Sequence, residues 1–333
     1  MAGRVLTQRE LNRTLLARQL LLERKRLSPI AVIERLVGLQ AQWPPAPYVG
    51  VWTRTTGFRR EALEKALAKG AVVKATVMRQ TLHLVTPRDY GLIRAAMSEN
   101  NFPWETAAAK KVAAKVRAFA AAGPVTTAEA LAGLRLDARL WRAARSAAHL
   151  VHHHETALWH ARPEGRFTLI DEPELHAPVE ARAEMFQRYL AAFGPATRQD
   201  LNAWSMMHMP EIDAALALLD LRRFRSEDGR ELLDVPRAPL LDGDLPVPVR
   251  FLPKWDNVLL AYKDRSRVMP DAYRKRIIAM NGDVAPTFLV DGFVAGIWRV
   301  EKERVVVEPF APLSAAAKRE LKDEAERLEA FLR

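Results

Sequence analysis

Two glutamines, Gln40 and Gln42, flank a single small apolar residue, Ala41, in the stretch from Leu36 to Tyr48. A side-chain amide carries two donors and one carbonyl acceptor, so a pair of amides can hold one water in a fixed orientation. The pair converges only if the backbone leaves helical geometry here. Gln40 and Gln42 follow a segment whose Ser28-Pro29 start reads as a helix N-terminus, and the prolines Pro44, Pro45 and Pro47 are expected to stop that helix. The competing reading is two polar residues near a helix end. Farther along, Arg79, Thr81 and His83 alternate in a Val- and Thr-rich run from Val72 to Val85 that reads as strands. Period two would place the three on one face, where they can meet a phosphate or the edge of a base. An ordinary strand pair with one polar face is the alternative. Trp43 and Tyr48 can wall the same site and stack on a sugar or base, or simply pack in the core.

Other cationic groups recur with helical or strand spacing. Arg135, Arg139, Arg142 and Arg145 follow one another at intervals of four, three and three, which makes a stripe on one helix. Leu140, Trp141 and Ala144 lie largely elsewhere on it. The stripe reads either as a phosphate-contacting face or as a solvated one. Lys263, Arg265 and Arg267 alternate, and Arg222, Arg223 and Arg225 sit on an expected hairpin, so both groups are candidates to line the same charged surface. His152, His153 and His154, with Glu155 and His160, raise the question of a metal. Neighbouring side chains point about 100° apart on a helix and to opposite faces on a strand, and neither arrangement suits a three-histidine site. No metal site is expected. The sequence holds no HExxH, Walker A loop or dinucleotide fingerprint, so no cofactor is implied.

The elements that must position these residues come from 333 residues, 49% hydrophobic and 27% charged, without cysteine. That composition is globular and excludes thiol chemistry and disulfides. The length suggests several modules. No run of about 18 apolar residues appears, and the first nine residues lack an apolar stretch, so neither a membrane span nor a signal peptide is expected and a cytoplasmic location fits. Lys plus Arg number 51 against 40 Asp plus Glu, a net charge of +11. Such an excess can attract a polyanion such as nucleic acid, although an Arg-rich, high-GC bacterial composition would produce it too.

Three capping boxes mark helix starts: Thr7 to Glu10, Thr126 to Glu129 and Thr197 to Asp200. In the first part, Ile30, Ile33 and Val37 make one apolar face, and a helix from Glu61 to Lys69 stops at Gly70. The second box opens a short helix, followed by a helix from Asp137, a strand-like Ala157 to Arg162, a turn Pro163-Glu164-Gly165 and a strand Arg166 to Ile170. The third opens a helix with Leu201 and Trp204. A second helix from Pro210 follows, then a hairpin of Arg222 to Ser226 and Glu231 to Val235 about Asp228-Gly229. Helix, helix, hairpin is the order of a winged helix, and three passes of it predict a tandem array. Pro236 to Pro248 reads as a linker. Beyond it, Val249 to Leu252, Val258 to Tyr262, Thr287 to Val290, Phe293 to Val300 and Val305 to Phe310 read as strands of a small β domain. Its closing helix, Ser314 to Leu332, carries Leu321, Ala325, Leu328 and Leu332 on one stripe. The expected fold is α+β. Residues 1–110, 111–176 and 177–240 form winged-helix units, and residues 241–333 a C-terminal β domain plus terminal helix.

The stretch from Leu36 to Trp52, the run Ala75 to Val85 with Arg79-Gln80-Thr81-Leu82-His83, the run Phe251 to Leu260 with Trp255-Asp256-Asn257, Asp264 to Arg267, and Asn281-Gly282-Asp283 ahead of Val290-Asp291-Gly292 together resemble the AlkZ-like winged-helix DNA glycosylases. The resemblance covers nearly the whole chain. It implies three winged helices and a C-terminal β-barrel-like domain around a concave DNA channel. It also implies removal of N7-alkylated purines, including interstrand crosslinks. The family's Gln-apolar-Gln motif falls on Gln40, Ala41 and Gln42. A sister group carries Asp at the third position, so Gln42 places this chain with the Gln-Gln branch.

The chemistry suits such a pair. An N7-alkylated purine already carries positive charge and leaves as a neutral base, while the sugar passes through an oxocarbenium-like state. What remains is to place a water and stabilise developing charge, which two amide carbonyls can do without titrating. The expectation is a metal-independent enzyme and a monomer, acting on double-stranded DNA and not at a membrane. A non-catalytic winged-helix regulator is the alternative, one that has no need of the Gln40/Gln42 pair. A nuclease would want clustered carboxylates for metal, and Asp256 and Asp264 qualify only by count.

Overall fold

The computed structural model describes residues 4–97, 102–161, 165–171 and 177–333. The chain opens with β1 (Val5–Leu6) and α1 (Gln8–Arg18), where Thr7 accepts from the Glu10 amide and Glu10 reaches back to the Thr7 amide. α2 (Pro29–Arg35) starts at Ser28 as expected. β2 (Leu39–Gln40), α3 (Pro45–Trp52), α4 (Arg60–Ala68), β3 (Val73–Thr76), β4 (Leu82–Val85) and α5 (Pro87–Ala96) follow. Next come α6 (Ala107–Ala120), β5 (Val125–Thr126), α7 (Thr127–Leu134), α8 (Ala138–Ala147), β6 (Leu150–His152) and β7 (Arg166–Leu169). Then α9 (Pro178–Phe193), α10 (Arg198–Ser205), α11 (Met209–Leu216) and the hairpin β8 (Arg222–Ser226) and β9 (Glu231–Asp234). The last part holds β10 (Arg250–Leu252), α12 (Arg274–Ile277), β11 (Thr287–Val290), β12 (Phe293–Glu301), β13 (Arg304–Pro309) and α13 (Ala315–Leu332).

Among the described residues three sheets organise these elements. One runs β2-β4-β3-β6-β7-β5, so strands from before and after α6 share a single sheet. β1 pairs in parallel with β8, Val5 opposite Arg225 and Leu6 opposite Ser226, beside β9. The third sheet, β10-β11-β12-β13, is antiparallel and open, so the expected barrel-like closure is not found. α13 covers one face of it, burying Leu321 and Leu328 against Phe251, Phe288 and Trp298, as its apolar stripe predicts. α9 is the central post: Phe186, Tyr189 and Phe193 pack with Trp204, Leu252 and Tyr262. No described helix is long and apolar enough to cross a membrane.

Several local expectations change. Val37 lies outside α2, in the left-handed region. The proline cluster does not simply end a helix; Pro45 opens α3, since proline is favoured in a first turn. Of the expected strand from Ala157 to Arg162, the described residues Ala157 to Ala161 are not a strand: a 3₁₀ turn covers His154 to Ala157, with the Thr156 amide and hydroxyl bonded to the His153 carbonyl. Of the Pro163-Glu164-Gly165 turn, Pro163 and Glu164 lie outside the described residues, as does Arg162. Val258 to Tyr262 is a buried 3₁₀ turn and loop capped by Asp256, whose carboxylate accepts from the Val258 amide at 3.1 Å. A short apolar run is equally apolar whether it pairs or not. The Pro236 to Pro248 segment is strapped onto α1: Arg9 donates to Gly243 O at 3.1 Å, Arg13 to Leu245 O at 3.1 Å, and the Leu241 amide to Thr14 Oγ1 at 3.0 Å. A Cβ on Gly243 would lie 2.9 Å from that of Arg9, so the close approach requires glycine.

Candidate nucleic-acid site

The Gln-Ala-Gln segment is placed by a turn. After α2 the backbone passes through Val37 (φ 55°) and Gly38 (φ 95°). A Cβ on Gly38 would lie 3.0 Å from Val85 Cγ1 and 3.3 Å from Leu84 O, so only glycine fits without strain. The turn throws Gln40 into β2, where it pairs with His83 of β4, while the Ala41 amide donates to Leu82 O at 2.7 Å. Gln40 is therefore on a strand and not at a helix end. It shares a face with His83 and with Ala75, which pairs His83 from β3.

On that face Gln40, Arg79 and His83 converge. Arg79 Nη2 donates to Gln40 Oε1 at 3.2 Å and lies 3.3 Å from His83 Nε2; Arg79 Nη1 donates to Trp204 O at 3.3 Å. His83 Nδ1 is 3.0 Å from Thr81 O. A carbonyl only accepts, so Nδ1 carries the proton and Nε2 is left to accept from Arg79. Burial, and then the Arg79 charge, push the His83 pKa down to about 3, so the ring is neutral at physiological pH. Burial, followed by the nearby Arg265, lowers Arg79 to about 10, and it stays cationic. Arg79 reaches this position from a 3₁₀ turn and not from a strand: Arg79 (φ 52°) and Gln80 (φ 59°) are both left-handed. Two consecutive side-chain-bearing residues in that region are backbone strain held by their surroundings. Thr81 does not join the cluster; its hydroxyl donates to Met78 O at 3.0 Å and closes the turn.

Gln42 is exposed, and its Oε1 accepts from the Leu82 amide at 2.8 Å. Both glutamine carbonyls thus face a group that can only donate, which fixes which end of each amide is oxygen and leaves each oxygen one further acceptor position. Gln42 lines a cavity of about 290 Å³ with Thr76, Gln80, Leu82, Arg142, Arg145 and His152 among its walls. Gln40 is buried.

The remaining candidates divide. Arg139, Arg142 and Arg145 are on α8, but Arg135 is the left-handed C-cap of α7 and breaks the stripe, because Asp137 starts α8 by accepting from the Leu140 amide. Arg145 stacks on the Phe167 ring at 3.9 Å. Lys263 is exposed, and its amide donates to Asp200. Arg265 is half-buried, and its charge reaches Arg79. Arg267 points inward, donating to Pro195 O at 2.9 Å and lying over Tyr262, so the expected alternation does not bring it to the surface. Arg222 and Arg223 are spent on Asp234 and Glu231, and Arg225 on Gly229 O. Trp43 is half-buried at the bend before α3, while Tyr48 is core, its hydroxyl donating to Ala157 O at 3.1 Å. His153, His154 and Glu155 come together, their ligand atoms within 4.8 Å, which the helix-or-strand argument missed because His153 is extended and His154 begins a turn. Glu155 Oε2 already accepts from Arg166 at 2.8 Å, and His152 packs on Phe167, so no three-histidine site forms.

Sequence reasoning overlooked Asn257, which holds the turn that leads into the glutamine segment. Asn257 Nδ2 donates to Gly38 O at 2.7 Å and Leu36 O at 3.4 Å. Asp256 forms a buried two-point ion pair with Arg54 at 2.8 and 2.9 Å, and Arg54 also donates to Gln19 O and Gly50 O. The only signal for Asn257 was the Trp255-Asp256-Asn257 stretch itself.

Residues 33–331 match the family described as DNA glycosylase AlkZ-like, and the chain belongs to that family. Among curated proteins it is similar to the interstrand DNA cross-link repair glycosylase of Streptomyces sahachiroi, 24% identical over 338 residues and covering 88% of each chain. Among solved structures, the Streptomyces sahachiroi DNA glycosylase AlkZ superposes with a TM-score of 0.82 at 22% identity, over 98% of this chain and 97% of that one. The mixed α+β fold is the same.

Proposed function

We propose that the protein hydrolyses the N-glycosidic bond of N7-alkylated purines in double-stranded DNA, unhooking interstrand crosslinks joined through such bonds, with the attacking water held by Gln40 and Gln42. The observation that carries this reading is the pair of amide carbonyls, each pinned by a fixed donor, Arg79 for Gln40 and the Leu82 amide for Gln42. Amides held in this way accept the protons of a water and direct its lone pair toward C1′ without reorganising during the reaction. Their oxygen dipoles also stabilise the oxocarbenium-like sugar. The base departs neutral, so no general acid is required. Arg79, Gln40 and His83 form a network in which no group titrates near pH 7.

The helix-helix-hairpin order of α7, α8, β6 and β7 and of α10, α11, β8 and β9 supports the winged-helix reading of residues 111–176 and 177–240, with residues 1–110 as the first unit and 241–333 as the C-terminal domain. In this reading the units surround a concave channel for the duplex, and Trp43, Arg79, Thr81, His83, Arg135, Arg139, Arg142, Arg145, Lys263 and Arg265 are its candidate contacts. The protein acts as a monomer without metal or cofactor. The test is base release from a duplex carrying one N7-alkylguanine in EDTA, wild type beside Gln40→Ala/Gln42→Ala. Release by wild type, with loss in the variant at unchanged DNA affinity, is expected. Tight binding without release above the spontaneous rate, even on an N7-linked crosslink, would make the protein a DNA-binding module only.

A further inference from the structure

The cavity beside Gln42 has two arginines in its wall. Arg142 and Arg145 both line it, and burial, followed by the Arg142 charge, brings Arg145 down to about 10. Neither has a carboxylate partner among the described residues. The acidic group close by is already spent, since Glu105 accepts both guanidinium ends of Arg94, at 2.9 and 3.0 Å, and the Ser146 hydroxyl. His152 adds no further positive charge. It is neutral, pushed down to about 3 by burial, Lys74 and Arg145. Two guanidiniums therefore line one cavity, Arg145 partly buried on the Phe167 ring and Arg142 exposed at its edge to solvent, with no carboxylate paired to either among the described residues. Holding like charges together in a part-buried site costs free energy unless an anion joins them.

From this we infer that the cavity seats one phosphate of the DNA backbone next to the damaged nucleotide, gripped by Arg142 and Arg145, and that this phosphate sets which C1′ arrives at Gln42. The assignment of the nucleotide rests on the proposed glycosylase reading; the seat itself rests on the charges. The cavity does not take the N7-alkylated base, which is cationic and would be repelled by the two arginines. Its volume, about 290 Å³, suits a sugar–phosphate unit, not a base pair. Guanidinium forks match phosphate oxygens in geometry, and the aromatic ring beneath Arg145 fixes its plane. Gln42, bonded to the Leu82 amide of β4, lines the same cavity as Arg142 and Arg145 of α8. A phosphate fixed on α8 and a water fixed by the glutamines then act as two ends of a ruler along one nucleotide.

The experiment is a scan of duplex affinity. Each phosphate within three linkages of a 2′-fluoro N7-methylguanosine, which resists base loss, is replaced singly by an uncharged methylphosphonate. Wild-type protein is expected to lose at least tenfold affinity at one linkage and far less at the others. Arg142→Gln/Arg145→Gln is expected to lose nothing further at that linkage, and its slope of log affinity against log salt should shrink by about one to two. Equal losses at all linkages in wild type overturn the inference, and that arm needs no variant. An unchanged single-linkage loss in the double variant also overturns it. Titration with inorganic phosphate alone provides a third arm: saturable binding that vanishes in the variant, alongside a flat linkage scan, would assign the seat to free phosphate and not to DNA. Because the readout is affinity, a protein that releases no base loses the proposed activity while the phosphate seat stands or falls separately.

Discussion

Arg79 donates to the Gln40 carbonyl from a residue that is itself left-handed, so the strain of the Met78–Gln80 turn and the orientation of the amide are one arrangement. Removing the guanidinium frees Gln40 to rotate. Hydrogen bonds involving a charged group contribute about 1.5–3 kcal/mol. Arg79→Ala should therefore slow single-turnover base release by roughly ten- to a hundredfold, since about 1.4 kcal/mol is one factor of ten. Arg79→Lys should recover part of it. Equal rates for wild type and Arg79→Ala would separate the turn from the chemistry.

The site should be indifferent to pH. His83 is neutral above about 3 and Arg79 charged below about 10, so neither changes state between them. Single-turnover base release should be flat from about pH 5 to about pH 9, windows set by those two groups and by the unperturbed carboxylate range. A rise or fall of tenfold per pH unit inside that window would identify a titrating catalyst that the glutamine reading lacks.

Stability should respond to pH where the rate does not. His83 and His152 are both pushed down to about 3 in the folded protein, while an unfolded histidine takes up its proton near 6.5. As pH falls below that value, the unfolded chain binds protons that the folded one does not, and stability is lost at up to ~1.4 kcal/mol per pH unit for each histidine. Urea unfolding between pH 7 and pH 5 measures the slope. His83→Gln should lower it by close to one proton's worth, and an unchanged slope would contradict the buried neutral ring.

Asn257 tests support from a distance. Its amide satisfies carbonyls of Leu36 and Gly38, on the turn that delivers Gln40. Asn257→Asp keeps the shape and replaces the donor with acceptors, so two carbonyls lose their partner; each buried group left unsatisfied costs about 1–3 kcal/mol. A lowered unfolding temperature and a lowered single-turnover rate, with DNA affinity nearly kept, are expected. Loss of affinity with an unchanged rate would place Asn257 at the DNA and not at the turn leading into the glutamines.

The ion pair beside it should be intolerant of halves. Arg54 and Asp256 are fully buried and meet at two points. Asp256→Ala strands a buried guanidinium and should cost about 3–5 kcal/mol, whereas replacing both partners with apolar residues of similar volume should cost far less. Denaturant unfolding of the single and double variants decides it.

What the sequence disclosed was mostly local. The boxes at Thr7, Thr126 and Thr197 all cap helices, because a capping box is a contract between residues three apart. The Asp291-Gly292 turn, both residues at positive φ, joins β11 and β12 for the same reason. Val258 to Tyr262 is apolar because it is buried, not because it pairs, which a short apolar run does not distinguish. Gln40 and Gln42 stood out by type, but their setting did not: the bend at Val37 and Gly38 carried only a single glycine as its sign. Asn257, 219 residues from Gly38, carried no sign at all that local spacing could decode. Arg267 failed for a related reason, since alternation tells which residues share a side but not which side faces water.

The first helix has a consequence for how the chain is made. β1 waits for β8, Arg18 for Asp234, Asn12 for the carbonyls of Arg267 and Gly292, and Arg13 for Asp291. On a ribosome these partners emerge last. The opening segment must therefore remain unseated through most of synthesis, and its docking closes the molecule like a latch. Translation halted before residue 291 yields a chain whose first helix lacks the Asp291 and Gly292 partners of Arg13 and Asn12, so truncated products are expected to be more open to proteases at their N-terminal end.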